Sequence, residues 1–272
     1  MKRVLITGNS GYIGSHLSNF LSTEYEVYGL DQNENVAPVV KHLLEDICEL
    51  TPILLEFDTV IHLAALVNVN ESEHEPINYY HTNINGTLKV LNNIKFKNFI
   101  FASTGAAEQC YSPYGVSKRA AEDCVRQYCE ESDVNYTIFR FYNVVGSAGF
   151  PPTNPDGLMF NLIKAKETGE FTIFGKDYDT TDGTCVRDYV HVMEICDAIR
   201  TAIEQPSNQI ECLGHGVGYT VREIVHLFEK VNDVILNVKY AKRRRGDLEY
   251  SVLENVSSYM KNLYSIEQLL KV

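Results

Sequence analysis

No apolar run in this 272-residue chain approaches the roughly 20 residues needed to cross a bilayer as a helix. Basic charge is scarce too: 24 Lys and Arg face 36 Asp and Glu, leaving −12 at neutral pH and a pI near 5.1. A field of that sign repels nucleic acid and anionic membranes, so neither is expected as a partner. Any anionic ligand must find a local cluster of Arg or Lys. The seven cysteines form no CxxC pair and stand at no zinc-like spacing from histidine. They read as reduced, mostly buried thiols of a cytoplasmic protein, with no metal site expected. The first residues, MKRVLITG, reach glycine after a short apolar run and read as a first strand, not as a signal peptide. Repeats and low-complexity tracts are also missing.

What is present alternates. Hydrophobic residues make up 44% and charged residues 22%, enough for a large core. Strand-like runs fall at 3–8, 26–31, 58–65, 98–103 and 135–146, with helical patterns at 15–22, near 83–95 and at 114–131. Continuous apolar strands separated by helices predict an α/β fold, a doubly wound parallel sheet covered on both faces. A loop rich in Pro and Gly, SAGFPPTNPDG at 147–157, leaves this domain. Beyond it come a helix at 158–169 and a strand at 171–174, so a smaller, interleaved C-terminal lobe is expected.

TGNSGYIGSH places Gly8, Gly11 and Gly14 between the first strand and the first helix. A tight turn and a close pyrophosphate both need residues without a Cβ, and the helix N-terminus adds a positive dipole end. Asp31 closes the second strand 17 residues after Gly14, where a carboxylate accepts from an adenosine ribose and repels a 2′-phosphate. The expected cofactor is therefore NAD.

PYGVSK at 113–118 begins a helix, with Ser112 as cap and Pro113 in the first turn. Tyr114 and Lys118 then share one face, one turn apart. Beside an oxidised nicotinamide, such a lysine favours the phenolate, and the phenol can take a proton from an alcohol. A strand ending FAST offers Ser103 or Thr104 to hold the substrate oxygen.

With these motifs in view, the chain resembles the extended short-chain dehydrogenases/reductases, and within them the UDP-glucose 4-epimerase family. DTVIHLAAL (58–66), YYHTNINGTLKVL (79–91), FRFYNVVG (139–146) and LGHGVGYTVREIV (213–225) carry the likeness. FTIFGKDYDTTDGTCVRDYVHV (171–192) and RRRGDL (243–248) add to it, the former the most diagnostic. The resemblance implies an NAD-dependent enzyme inverting C4 of a UDP-hexose through a transient 4-keto sugar. Catalysis falls to Tyr114, Lys118 and Thr104. The cofactor falls to Gly8, Gly11, Tyr12, Ile13, Gly14, Asp31, Gln32, Asp46, Ile47, Leu63, Ala64, Ala65, Asn83, Ser103 and Phe141, together with Tyr114 and Lys118. The UDP-sugar falls to Thr104, Asn143, Leu158, Phe174, Arg187, Tyr189, Arg244, Asp247 and Ser251. Residues 1–146 with 178–203 would bind NAD, and 147–177 with 204–272 the nucleotide sugar. A homodimer through helices such as 83–95 and 114–131 is implied as well.

Departures from the family pattern are local. The stretches 31–46, 104–114 and 146–158 are short, Val67 and Gly157 stand where a lysine and an asparagine are usual, and the strand-four end reads AST. Ser251 falls where some members carry a tyrosine against the sugar 2-position, which predicts room for N-acetyl sugars. Alternatives on the same fold are a dehydratase, decarboxylase or reductase, or a non-catalytic NAD-binding module. STGAAEQ (103–109) lacks the Asp-Glu pair of a dehydratase, and the intact Tyr/Lys pair argues against the module. His191 reads as structural.

Overall fold

The run RVLIT folds as a strand in which Val4, Leu5 and Ile6 have no solvent exposure, as burial on both faces demands. The structure, a computed structural model, describes residues 1–244 and 246–272. In chain order the strands are β1 (Arg3–Thr7), β2 (Glu26–Asp31), β3 (Lys41–Leu44), β4 (Ile53–His62), β5 (Ile94–Thr104), β6 (Asn135–Phe141), β7 (Asn143–Val145), β8 (Glu170–Phe174), β9 (Val186–His191), β10 (Ile210–Leu213), β11 (Gly218–Thr220), β12 (Asn237–Ala241) and β13 (Tyr250–Ser251). The helices are α1 (Tyr12–Leu21), α2 (Val69–His74), α3 (Pro76–Tyr80), α4 (Thr87–Asn93), α5 (Ala106–Gln109), α6 (Pro113–Glu131), α7 (Leu158–Thr168), α8 (Val192–Glu204), α9 (Val221–Asn232) and α10 (Ile266–Leu270). A π-helical turn, His81–Gly86, runs directly into α4.

Contacts divide the chain into two units, 1–140 with 196–211 and 141–195 with 212–272. The seven-stranded sheet runs β10-β6-β5-β4-β1-β2-β3, and the strands from β5 to β3 pair in parallel. Strand order reverses between β1 and β4. In open sheets of this kind the crevice at the carboxyl ends of those two strands is where a ligand binds. Leu30, Val60, Phe99, Phe101, Val125 and Ile138 are among the residues filling the first unit's core. The second unit builds its own core around Met159, Leu162, Ile173, Ile224 and Phe228.

Several expectations need adjustment. The helix expected near 83–95 is a π turn and a short α-helix, and 94–97 already belong to β5, because they pair with the start of β4. The single strand expected at 135–146 breaks at Tyr142: β6 stays in the main sheet, and β7 pairs with β9. β3 escapes the sequence reading because it is an edge strand, paired only with β2 and partly exposed. The expected division places 141–146 and 178–195 in the first domain and 204–211 in the second. Contacts group the first two segments with the second unit, since β9 pairs with β7, β11 and β13, and group 204–211 with the first. All seven cysteines are free, and three of them, Cys129, Cys185 and Cys196, are buried; the other four are half-buried, fewer buried than expected. Among the described residues no helix is long and apolar enough to cross a membrane.

Candidate active site

The glycine turn is built by contact with β4. Gly8 has φ +74°, and a Cβ there would lie 2.7 Å from Ala64 N, so both conformation and space require glycine. A Cβ on Gly14 would fall 2.1 Å from the Gly8 carbonyl oxygen, and Gly11 meets the same oxygen at 3.3 Å. The loops after β1 and β4 are thus pressed together, with Leu63 N donating to Thr7 O at 3.1 Å. Tyr12 and Ile13 open α1 directly behind the turn.

Asp31 ends β2, is 8% exposed, and accepts from Ser10 N at 3.0 Å and Asn33 N at 2.9 Å. Its carboxylate is fixed beside the glycine turn, and Gln32 follows it at the surface. A cradle that any Cβ would fill, with a held carboxylate at its edge, fits a dinucleotide. Asp46 is exposed and accepts from Cys48 N. The Ile47 side chain belongs to the core, packed where a Cβ on Gly86 would stand, so only its backbone is left for a ligand.

Tyr114 and Lys118 lie in the first turns of α6, capped by Ser112, whose hydroxyl accepts from Gly115 N at 3.2 Å. Both side chains are buried, Tyr114 at 8% exposure and Lys118 at 3%. Burial pushes the Tyr114 phenol up to about 12, and a hydrogen bond with the Thr104 hydroxyl pulls it down. Burial also brings the Lys118 ammonium down to about 7, opposed by the charge of Glu122. The Lys118 Nζ stands 4.2 Å from the centroid of the Phe101 ring. By its own groups the chain therefore keeps Tyr114 protonated near neutral pH.

Thr104, not Ser103, is the strand-end hydroxyl that reaches Tyr114. Ser103 donates to the Glu122 carboxylate, a use that the FAST motif gave no means of foreseeing. Asn83, expected near the cofactor, has its side chain bonded within the chain. Its side-chain oxygen accepts from Leu66 N at 2.8 Å, and its amide donates to Leu66 O at 3.0 Å and Ser117 Oγ at 2.9 Å. Those bonds tie the loop after β4 to α6.

A buried relay that the sequence did not reveal stands behind it. Thr87 Oγ1 donates to Asn83 O at 2.7 Å, so it accepts from His62 Nε2, 3.0 Å away. His62 is therefore the neutral Nε2–H tautomer, and its Nδ1 accepts from Thr7 Oγ1 at 2.6 Å. Its signal was the HLAA run, where a histidine inside a central strand needs two partners.

The second unit carries the expected cations. Arg187 on β9 lies 3.8 Å from the Asp247 carboxylate, which burial shifts upward in pKa against the pull of Arg187 and Arg244. Arg244 lies over the Phe174 ring at 3.9 Å and donates to Asp156 O. Leu158 opens α7. Asn143 donates to Asp188 O at 2.9 Å, and Phe141 is buried at the end of β6. Tyr189 is 2% exposed, and its hydroxyl has no hydrogen-bond partner among the described residues; the same holds for Tyr178. Arg187 acts on the phenols of both, and burial pushes Tyr178 up to about 12. Orphaned hydroxyls around a cation are the donor set an anionic, polar ligand needs.

Ser251 on β13 pairs in register with Arg187, so the two share a face, while Tyr250 donates its hydroxyl to Asp179 O. His191 stacks on Tyr264 at 4.4 Å, in keeping with a structural role. Within the RRRGDL motif, Arg245 lies outside the described residues.

Residues 4–212 match the NAD dependent epimerase/dehydratase family. UDP-glucose 4-epimerase of Haemophilus influenzae is 33% identical over 294 residues, covering 90% of this chain and 87% of that protein. The human UDP-glucose 4-epimerase is 30% identical over 91% of this chain and 87% of its own length. Among solved structures, UDP-glucose 4-epimerase of Bifidobacterium longum in complex with NAD+ and UDP superposes with a TM-score of 0.85 at 26% identity, covering 98% of this chain and 96% of that one. A UDP-N-acetylglucosamine 4-epimerase of Methanobrevibacter ruminantium, in complex with UDP-N-acetylmuramic acid, gives 0.84 at 25% identity, over 99% and 97%. With its glycine turn, its Tyr114–Thr104 pair and its Lys118 in place, the chain belongs to the NAD dependent epimerase/dehydratase family.

Proposed function

We propose that this protein is an NAD-dependent epimerase that inverts C4 of a UDP-hexose, with UDP-glucose and UDP-galactose as its pair of substrates. The observation that carries the reading is the buried Tyr114, hydrogen-bonded to Thr104 and one turn from Lys118. When bound, NAD would supply a cationic ring that favours the phenolate and a reversible acceptor for the sugar's C4 hydride, leaving no net redox change. Tyr114 accepts the proton of the 4-hydroxyl and later returns it. Thr104 orients the sugar oxygen, and Lys118 holds the nicotinamide ribose and keeps positive charge near the phenol.

Arg187 and Arg244 supply the fixed charge a diphosphate needs on a chain of net −12. Phe174, beneath Arg244, offers a ring face to the uracil, and Asp247 and the Tyr189 hydroxyl offer polar contacts to the nucleoside. The pairing of Ser251 with Arg187, and the occupation of Tyr250 elsewhere, support room at the sugar 2-position for an N-acetyl group. Leu88 of α4 and Val116 and Tyr128 of α6 are exposed, which supports a homodimer through those helices; the free thiols support a cytoplasmic setting.

The test is incubation of the purified chain with UDP-galactose, no reductant added, following UDP-glucose. Conversion that disappears in Tyr114→Phe is expected. Equal conversion by Tyr114→Phe would remove the proposed base.

A further inference from the structure

Glu122 has a fully buried side chain, and three bonds hold its carboxylate. Arg140 donates from Nε at 2.9 Å and from Nη2 at 2.6 Å, and the Ser103 hydroxyl donates the third. Burying such a pair is costly, and apolar residues of the same volume often stabilise a core as well or better. Packing alone therefore gives no reason to retain it.

Its position gives one. Glu122 follows Lys118 by four residues on α6, so the two side chains neighbour each other on one face. Both are shut away from solvent. We infer that Glu122, clamped by Arg140 and Ser103, is the fixed counter-charge that resists loss of the Lys118 proton in its dry surroundings, and so acts as a positioning residue for the proton chemistry of Tyr114. The inference rests on the roles proposed above for Tyr114 and Lys118.

Removing water favours the neutral amine, and Glu122 is the group that opposes this at Lys118. Among the described residues nothing else facing Lys118 does so. Tyr114, on the same helix, is a neutral phenol; His62, at the end of β4, is a neutral imidazole; Phe101 of β5 offers a ring face. Arg140 of β6 is a cation and cannot stabilise the ammonium; its part is to hold the Glu122 carboxylate in place. A guanidinium suits this task, because its rigid fork fixes both carboxylate oxygens. The Ser103 hydroxyl adds a bond from the strand that also carries Thr104.

Lysine labelled with carbon-13 at Cε reads the titration directly in the full chain, with and without NAD, the Lys118 signal being assigned by its loss in Lys118→Arg. Glu122→Gln should lower the Lys118 midpoint by at least about one unit, a tenfold weaker hold on the proton. The basic limb of the kcat profile should move down with it. Because this change leaves Arg140 buried without its partner, Glu122→Gln/Arg140→Gln is measured beside it. There the midpoint should still fall, by less. Glu122→Asp, which keeps the charge, should restore a midpoint near wild type. A midpoint unmoved in folded Glu122→Gln and in Glu122→Gln/Arg140→Gln, even with lower thermal stability, overturns the inference. A shifted midpoint in a chain that does not epimerise UDP-galactose supports the counter-charge and sinks the proposed function instead.

Discussion

Lowering the pH from about 7.5 to about 5 should cost the folded chain about 2 kcal/mol through His62 alone. Burial first, and the charge of Lys118 second, hold this imidazole down to about 3 from its ordinary 6.5. The unfolded chain takes up a proton below 6.5 and the folded chain does not, so stability falls with pH through that window and the loss ends near 3. Over the whole window it amounts to about 5 kcal/mol, at about 1.4 kcal/mol for each unit. Both ring nitrogens are committed, to Thr7 and Thr87, so protonation also breaks the bond that Nδ1 accepts.

His62→Gln removes the titration while keeping a donor and an acceptor. At pH 7.5 it should be less stable than wild type by about 2 to 4 kcal/mol, from lost packing and one unmade bond. At pH 5 that gap should shrink by about 2 kcal/mol. Urea unfolding of the two proteins at both pH values reads the difference, and other titrating groups cancel between them. A gap of the same size at both pH values would refute the buried neutral imidazole.

Further outcomes follow from the same geometry. Gly14→Ala should weaken NAD binding by tenfold or more, about 1.4 kcal/mol, because its Cβ meets backbone at 2.1 Å; titration calorimetry with NAD checks this. Thr104→Val, close in shape and without the hydroxyl, should raise the Tyr114 titration further and cut kcat roughly 10- to 100-fold, read from the pH–rate profile. Ser251→Tyr should abolish turnover of UDP-N-acetyl sugars while UDP-galactose is still converted; equal rates on both classes would show that Ser251 does not set the size of the sugar pocket.

The presence of β1, β2, β4, β5 and β6 was legible because each contains a largely apolar run, which burial on both faces explains. Gly8, Gly14 and Asp31 were legible for a related reason: close approach of backbone and a fixed carboxylate restrict the residue type. Tyr114 and Lys118 could be placed because four residues on a helix bring side chains to one face. What the sequence concealed depends on partners far along the chain. Ser103 and Thr104 are adjacent hydroxyls, and only the position of Glu122 decides which one is left for Tyr114. Asn83 is turned inward by Leu66 and Ser117, and His62 finds Thr7 and Thr87 across three elements. The edge strand β3 carries too little apolar signal to read, and the break at Tyr142 follows from strand pairing, not from local preference.

The central claim is that a proton leaves the 4-hydroxyl to Tyr114 while the C4 hydrogen departs and returns within one bound complex. UDP-galactose carrying deuterium at C4, given to the purified protein with no added reductant, tests it. Formation of UDP-glucose that retains deuterium at C4 is the predicted result. A product with solvent hydrogen at C4, a stable 4-keto-6-deoxy sugar, or no conversion at all would contradict it.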